Sequence, residues 1–313
     1  MARTPAAPVP QALRPVLIAG PTAVGKSAVA LALARRLNGE IISVDAMQVY
    51  RGLDIGTAKP SPEERRPVPH HLIDVVELDK MFDAAQFTRL AQAAVAGIQE
   101  RGRVPILCGG TGLYFKAFLE GLGEAPAASA VLRAELEATP LPELLRQLER
   151  GDPVTFAKID RKNPRRVVRA LEVIHLTGKP FSAQKSPWNP QGGTRNQERF
   201  FGLSRSGDDL GARINARVDA MFARGLVQET ERLLGLGLEQ NRTAMQAIGY
   251  RQVAELLRGE RSLADTVALV KQRTRQFAKR QMNWFRRQFR LEWINLEPDV
   301  SADAVADGLR ERI

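Results

Sequence analysis

Eight consecutive residues, Gly20, Pro21, Thr22, Ala23, Val24, Gly25, Lys26 and Ser27, match G-x-x-x-x-G-K-[ST] throughout. The chemistry of that pattern is anion capture. Glycines let the backbone bend until successive N–H groups face one anion. A helix beginning behind them adds partial positive charge. Lys26 supplies a full charge to phosphate oxygens, and the Ser27 hydroxyl can ligate Mg²⁺. Chance produces such a match in roughly one chain in a hundred of this length. The pattern does not say which phosphate compound is bound.

A carboxylate follows at Asp45, just past the apolar run Ile41-Ile42-Ser43-Val44. In open α/β sheets ligands sit beyond the carboxyl ends of the strands, so Asp45 is expected to face the phosphate loop. It could serve as a general base or as a Mg²⁺ ligand through water, or simply close a turn. In the run from Asp45 to Gly52, Gln48 could meet a base edge, and Tyr50 could stack on a base or pack in the core.

These groups need elements to hold them. Val16 to Ala19, Glu40 to Asp45 and Val104 to Cys108 read as buried parallel strands. Lys26 to Leu37 and Ala84 to Glu100 read as helices, ended by Asn38-Gly39 and Arg101-Gly102. Strands alternating with helices predict an α/β domain with a mainly parallel, P-loop NTPase-like sheet. Past Gly121 the pattern turns helical, with helices over Arg133 to Leu148 and Pro164 to Leu176, the second stopped by Gly178. A strand over Glu198 to Leu203 returns to the sheet after a linker at 187–193. The expected organisation is a flexible tail at 1–13, a core from 14–122 and 198–313 with C-terminal helices, and an all-helical insertion at 123–197.

The chain has 313 residues, a formal net charge of +11 and 44% hydrophobic residues. That composition is globular, and the charge points to a polyanionic partner. The single cysteine, Cys108, excludes an internal disulfide and a cysteine-based zinc site, and its apolar surroundings predict a buried thiol. The N-terminal stretch lacks the apolar core of a secretory signal, and no apolar run approaches the ~20 residues that span a bilayer. A cytoplasmic protein that stays off the membrane is expected.

The basic excess is concentrated. From Thr266 to Leu291 there is no acidic residue, but there are Lys271, Arg273, Arg275, Lys279, Arg280, Arg286, Arg287 and Arg290. Phe277, Trp284, Phe285 and Phe289 are interleaved. Part of this is a buried stripe with a solvated face, yet an ordinary exposed face mixes signs. A second group, Arg161, Lys162, Arg165, Arg166 and Arg169, lies in the insertion, where fourfold spacing would align like charges. Two basic surfaces on separate lobes predict a clamp on a nucleic acid, held through phosphates.

Taken together, the segments GPTAVGKS (20–27), IISVDAMQVYRGLDIGTAKP (41–60), HHLIDV (70–75), GGTGLYFKAFLEGL (109–122), DPVTFAKID (152–160), NPRRVVRALEVIHLTGKP (163–180), IGYRQV (248–253) and TRQFAKRQMNWFR (274–286) resemble the bacterial tRNA dimethylallyltransferase family, in order and over nearly the whole chain. The resemblance implies transfer of a dimethylallyl group from dimethylallyl diphosphate to N6 of the adenosine 3′ of the tRNA anticodon, with Mg²⁺ as cofactor. It implies that the phosphate loop holds the diphosphate of a prenyl donor. Asp45 would be the general base. Lys26, Ser27, Thr22 and Arg217 would hold the diphosphate. The tRNA would be met by Asp45, Ala46, Met47 and Gln48, by Thr111 and Arg133, by Arg165, Arg166 and Arg169, by Gln246, Gly249, Tyr250 and Arg251, and by Lys279, Arg280, Gln281, Trp284 and Arg286. A monomer suffices for this arrangement. One departure stands out: the family commonly has Asp-Ser where this chain has Asp45-Ala46, which removes a hydroxyl that could orient the base.

Other functions share parts of this pattern. A P-loop kinase would use the loop, a strand-end Asp and a helical lid, but it needs no basic C-terminal helix. A prenyl transferase acting on free adenine nucleotides needs no polybasic surfaces. A non-catalytic RNA-binding module leaves Asp45 without a purpose.

Overall fold

Alternation along the strands decides the architecture. In the first strand Val16 and Ile18 join one apolar cluster, while Leu17 and Ala19 join another. Both faces of the sheet are therefore covered, as a parallel sheet requires. The computed structural model describes residues 13–122, 126, 129–183 and 199–313. The expected tail, except Leu13, and the linker at 187–193 lie outside those residues.

The elements run β1 (Val16–Ala19), α1 (Lys26–Leu37), β2 (Gly39–Val44), α2 (Pro62–Arg65), β3 (His70–His71), α3 (Ala84–Glu100), β4 (Val104–Gly109) and α4 (Gly112–Glu120). The helices α5 (Ala130–Ala138), α6 (Leu141–Gly151), α7 (Pro153–Lys158) and α8 (Pro164–Thr177) follow. The chain continues with β5 (Phe200–Ser204), α9 (Gly207–Ala223), α10 (Leu226–Gly235), α11 (Tyr250–Leu257), α12 (Leu263–Gln288), β6 (Glu292–Asn295) and α13 (Ala302–Arg310). It divides into two compact units, Met1–Leu119 with Gly193–Ile313, and Glu120–Gly192.

In the larger unit the sheet order is β3-β2-β4-β1-β5-β6, with every pair parallel. One face is covered by α1 and α13 through Val29, Leu33, Val305 and Leu309. The other is covered by Phe87 of α3, Phe115 of α4 and Phe285 of α12. Phe115, Phe200, Phe285 and Phe289 form a continuous aromatic set with ring centroids 5.0 to 6.5 Å apart. Tyr50 is fully buried in the same core, so it packs and does not stack on a base.

In the smaller unit every described element is helical. The helix expected over Arg133 to Leu148 is two, because Pro140 begins a new helix as the N-cap of α6. Leu136, Leu144 and Leu148 keep one apolar face across the break, which hid it from periodicity. Asn163 caps α8, so Lys162 precedes the helix and cannot share a row with Arg166.

Far from the phosphate loop, Glu40 is 2% exposed and meets Arg101, Arg103 and His71. Burial alone would raise its pKa, but hydrogen bonds from Arg101 and His71 hold it at about 2, below the ordinary 4.5. A depressed carboxylate gives stability that is present above its ordinary pKa and lost as pH falls through the folded value. Glu40→Gln should therefore cost about 3 kcal/mol near neutral pH, since it strips a buried group of its charge pairing. In denaturant melts the gap from wild type should close as pH drops from 4.5 toward 2; a gap independent of pH would contradict this role for the cluster.

Candidate active site

The phosphate loop joins β1 to α1. Gly25 caps α1 at φ 108°, a left-handed conformation suited to glycine. No side chain caps the helix, and its first turn contains no acidic residue, so its positive end is open to an anion. The loop's carbonyls are turned outward and tied down. Lys26 Nζ donates to Pro21 O at 2.6 Å, Arg205 Nε to Val24 O at 2.9 Å and Arg213 Nε to Ala23 O at 3.0 Å. The N–H groups of Ala23, Val24, Gly25 and Lys26 meet no acceptor among the described residues.

Asp45 follows β2 and lines the same 340 Å³ cavity as Thr22, Lys26, Ser27 and Arg217. Its Oδ1 accepts from the backbone N–H of Met47 at 2.8 Å and of Gln48 at 3.2 Å. The turn-closing and cavity-lining roles therefore coexist: one oxygen fixes the carboxylate, and Oδ2 accepts nothing among the described residues. The hydroxyl missing at Ala46 is not needed for this hold. Ala46 N donates instead to Thr111 Oγ1 at 3.2 Å, which ties the turn after β2 to the one after β4.

Gln281 is 8% exposed and spans two loops. Its Oε1 accepts from Thr22 N at 2.9 Å, and its Nε2 donates to Gly110 O at 2.9 Å. A Cβ at Gly110 would lie 2.3 Å from that amide nitrogen, so a side chain there would displace the Gln281 amide. The basic helix α12 is thus pinned to the phosphate loop. Gln48 is similarly engaged, accepting from Ser43 Oγ and donating to Thr57 O and Ala58 O.

Beyond these polar groups the cavity wall is apolar, formed by Val218, Met221, Ile248, Val270 and Phe277. Cys108 also lines it; burial pushes the thiol up to about 11, so it stays uncharged. Desolvation lowers Lys26 to about 8, with Cys108 and Asp45 pulling upward and Arg217 pushing down. Burial also lowers the Arg217 pKa, against the pull of Asp45. Both cations are held at a cost, which an arriving anion would relieve.

Other expected site residues fall in three places. Gln246, Arg251 and Arg280 line a second cavity of 290 Å³, together with Arg261 and Arg273. Along α12, Lys271 pairs with Asp219 and Arg275 with Asn215, whereas Arg273, Lys279, Arg280, Arg286 and Arg287, and Arg290 just past the helix, have no carboxylate partner among the described residues. Trp284 packs edge-on against Phe285 and Phe289 at 5.6 Å. Tyr250 is fully buried and Gly249 caps α11, so Tyr250 offers no surface to a nucleic acid. In the smaller unit Arg133 and Arg169 both bond to the buried Glu172, at 2.6 and 2.7 Å, while Arg166 is exposed. Arg205 and Arg213 escaped the sequence reading; the available signal was Arg213 standing one helical turn before Arg217.

The fold has counterparts. The family model described as IPP transferase matches residues 48–288. A tRNA dimethylallyltransferase of Geobacter metallireducens is 46% identical over 90% of this chain and 92% of its own length. One from Moorella thermoacetica is 44% identical over 95% of each. Among solved structures, the full-length tRNA isopentenylpyrophosphate transferase of Bacillus halodurans superposes with a TM-score of 0.68 at 38% identity, covering 96% of each chain. A eukaryotic dimethylallyltransferase acting on tRNA gives a TM-score of 0.72 at 28% identity, over 90% of this chain and 73% of that one.

If Lys26 meets the anion, binding must be linked to its proton. Above about pH 8 the free protein has lost that proton and an arriving anion restores it. Calorimetry with inorganic diphosphate in buffers of different ionisation enthalpy should show no Lys26-linked proton uptake near neutral pH. Uptake should grow above pH 8, with affinity falling, and Lys26→Met should abolish that linkage. Affinity and linkage unchanged in Lys26→Met would remove Lys26 from the site.

Proposed function

The chain belongs to the IPP transferase family, and from that premise we propose that it transfers the dimethylallyl group of dimethylallyl diphosphate to N6 of the adenosine 3′ of the anticodon in tRNA. The observation that carries this reading is the composition of one cavity, lined both by Lys26, Arg217, Asp45 and the phosphate-loop residues Thr22 and Ser27 and by the apolar side chains of Val218, Met221, Ile248, Val270 and Phe277. A diphosphate joined to a short hydrocarbon matches that division.

The exocyclic amine of adenine is a weak nucleophile, because its lone pair is delocalised into the ring. Attack at C1 of the donor forms the N6–C1 bond and breaks the C1–O bond. The bonding pair leaves with the diphosphate, and the surplus N6 proton passes to Asp45. An allylic C1 tolerates a loose, cation-like transition state, so much of the barrier lies in charge building on the leaving group. Lys26, Arg217 and the loop N–H groups are placed to stabilise that charge. Asp45, fixed through Oδ1, keeps Oδ2 available for the proton.

Mg²⁺ fits the donors present. The Ser27 hydroxyl is an oxygen donor lining the cavity and would hold the ion. So few protein donors would suit a hard ion that keeps most of its waters. When bound, it would supply further neutralisation of the diphosphate.

For tRNA, the cationic surface of α12 and the cavity beside it would supply phosphate contacts; Arg273 and Arg280 have no carboxylate partner among the described residues, whereas Arg251 and Arg261 pair with Glu255. The target base would have to leave its stack to reach Asp45. Among the described residues no helix is long and apolar enough to cross a membrane.

With labelled dimethylallyl diphosphate and unmodified tRNA, wild-type protein should label the tRNA. Asp45→Asn should slow single-turnover transfer by about 10²-fold or more while leaving tRNA affinity within about twofold. Unlabelled tRNA with the wild type would overturn the function. Loss of tRNA binding in Asp45→Asn would overturn the general-base role.

A further inference from the structure

The segment after Leu53 contributes Gly56, Thr57 and Ala58 to the cavity wall. Its carbonyls set two side chains of the site. Thr57 O accepts from Gln48 Nε2 at 3.2 Å and from Arg217 Nη2 at 3.5 Å, and Ala58 O accepts from Gln48 Nε2 at 3.4 Å. The segment therefore supplies the one protein hydrogen bond of the Arg217 guanidinium among the described residues, a long one at Thr57 O.

Two buried groups fix the segment from behind. Lys59, 7% exposed, donates to Tyr50 O at 2.7 Å, Asp54 Oδ1 at 2.6 Å and Asp74 Oδ1 at 2.5 Å. Glu229, also 7% exposed, accepts from Ile55 N at 3.0 Å and Gly56 N at 3.4 Å. The Tyr250 hydroxyl donates to Glu229 Oε1 at 2.6 Å and accepts from Gly56 N at 3.2 Å. The ring lies so close to Gly56 that a Cβ there would stand 2.6 Å from it.

Glu229 has no cationic partner among the described residues. A buried carboxylate without a counter-ion is costly unless donors surround it. Here the donors are two amides of the cavity segment and one phenol. Burial and the Glu229 carboxylate push the phenol far above its ordinary pKa, so it remains a donor. Packing alone would be met by phenylalanine. Neither Glu229 nor Tyr250 lines the cavity.

Resting on the assignment of the cavity to a diphosphate donor, we propose that Tyr250 and Glu229 are positioning residues for that donor, setting Arg217 through the 54–59 segment. Tyr250 lies in a stretch to which the family resemblance gives tRNA contact, yet its hydroxyl serves the opposite substrate. The two substrates' sites are thereby joined in α11, whose Arg251 lines the neighbouring basic cavity.

The test compares full-length wild type, Tyr250→Phe and Glu229→Gln for inorganic diphosphate affinity by calorimetry, for donor KM and for tRNA affinity. Tyr250→Phe keeps the ring against Gly56 and is expected to fold with a lowered melting temperature, because Glu229 loses one donor, so it decides alone if Glu229→Gln does not fold. Both variants should weaken diphosphate binding and raise donor KM by about tenfold, with tRNA affinity within about twofold of wild type. In an Arg217→Ala background, Tyr250→Phe should have no further effect on diphosphate affinity, because its action runs through Arg217. Unchanged diphosphate affinity, a loss of tRNA affinity instead, or a full additional loss in the Arg217→Ala background would each overturn the proposal. A wild-type chain that binds no diphosphate would overturn the donor assignment itself.

Discussion

Parallel pairing of β1, β2, β4 and β5, with the first three cut flush at one edge, is the constraint on which the site depends. Ala19 of β1 is level with Gly109 of β4 and Gly202 of β5, and Gly109 is level with Val44 of β2. The chain therefore leaves β1, β2 and β4 at one edge. Those exits are the phosphate loop, the Asp45 turn and the Gly110-Thr111 turn. The exit from β5 leads through Arg205 into α9, which carries Arg213 and Arg217. Antiparallel pairing would scatter these groups to opposite edges. Ligand binding beyond the carboxyl ends of strands follows from the same geometry.

Upon that edge the structure builds an asymmetric charge distribution. Cations and backbone N–H groups gather at the loop, and a single carboxylate stands beside them. The loop's carbonyls are bound away by Lys26, Arg205 and Arg213, so its amides are left to the ligand. Asp45 is oriented by main-chain donors, which do not change rotamer when substrates arrive. Gln281 then fixes α12 against both loops, so the most basic helix of the chain is held at the mouth of the chemistry. Such fixed dipoles stabilise developing charge without reorganising at the moment of reaction.

Much of this was legible in the sequence, for reasons that differ between elements. The phosphate loop carries its own spacing, and α1 and α3 match the ranges expected from apolar periodicity and Asn-Gly or Arg-Gly stops. Asp45 could be placed because a strand end implies an edge. Periodicity failed where it was indifferent to the backbone, as at Pro140, where the apolar face continues through a break. It also failed at β6, an edge strand exposed at both ends whose residues show no buried run. Residue type could not reveal direction: Tyr50 reads equally as a base platform or as core, Tyr250 falls among the tRNA contacts that the resemblance implies, and both are core. The buried carboxylates Glu40 and Glu229 were invisible because their partners are distant in the chain or are backbone amides, and at Glu172 only Arg169 is near in sequence.

The most direct test of the central claim, that this phosphate loop serves a prenyl donor for a macromolecular acceptor, is an acceptor competition. Labelled dimethylallyl diphosphate with Mg²⁺ would be offered unmodified tRNA, AMP and ATP together, and the label followed. Label found on tRNA alone is the predicted result. Label on the free nucleotides, or ATP consumed with no label transferred, would contradict the account.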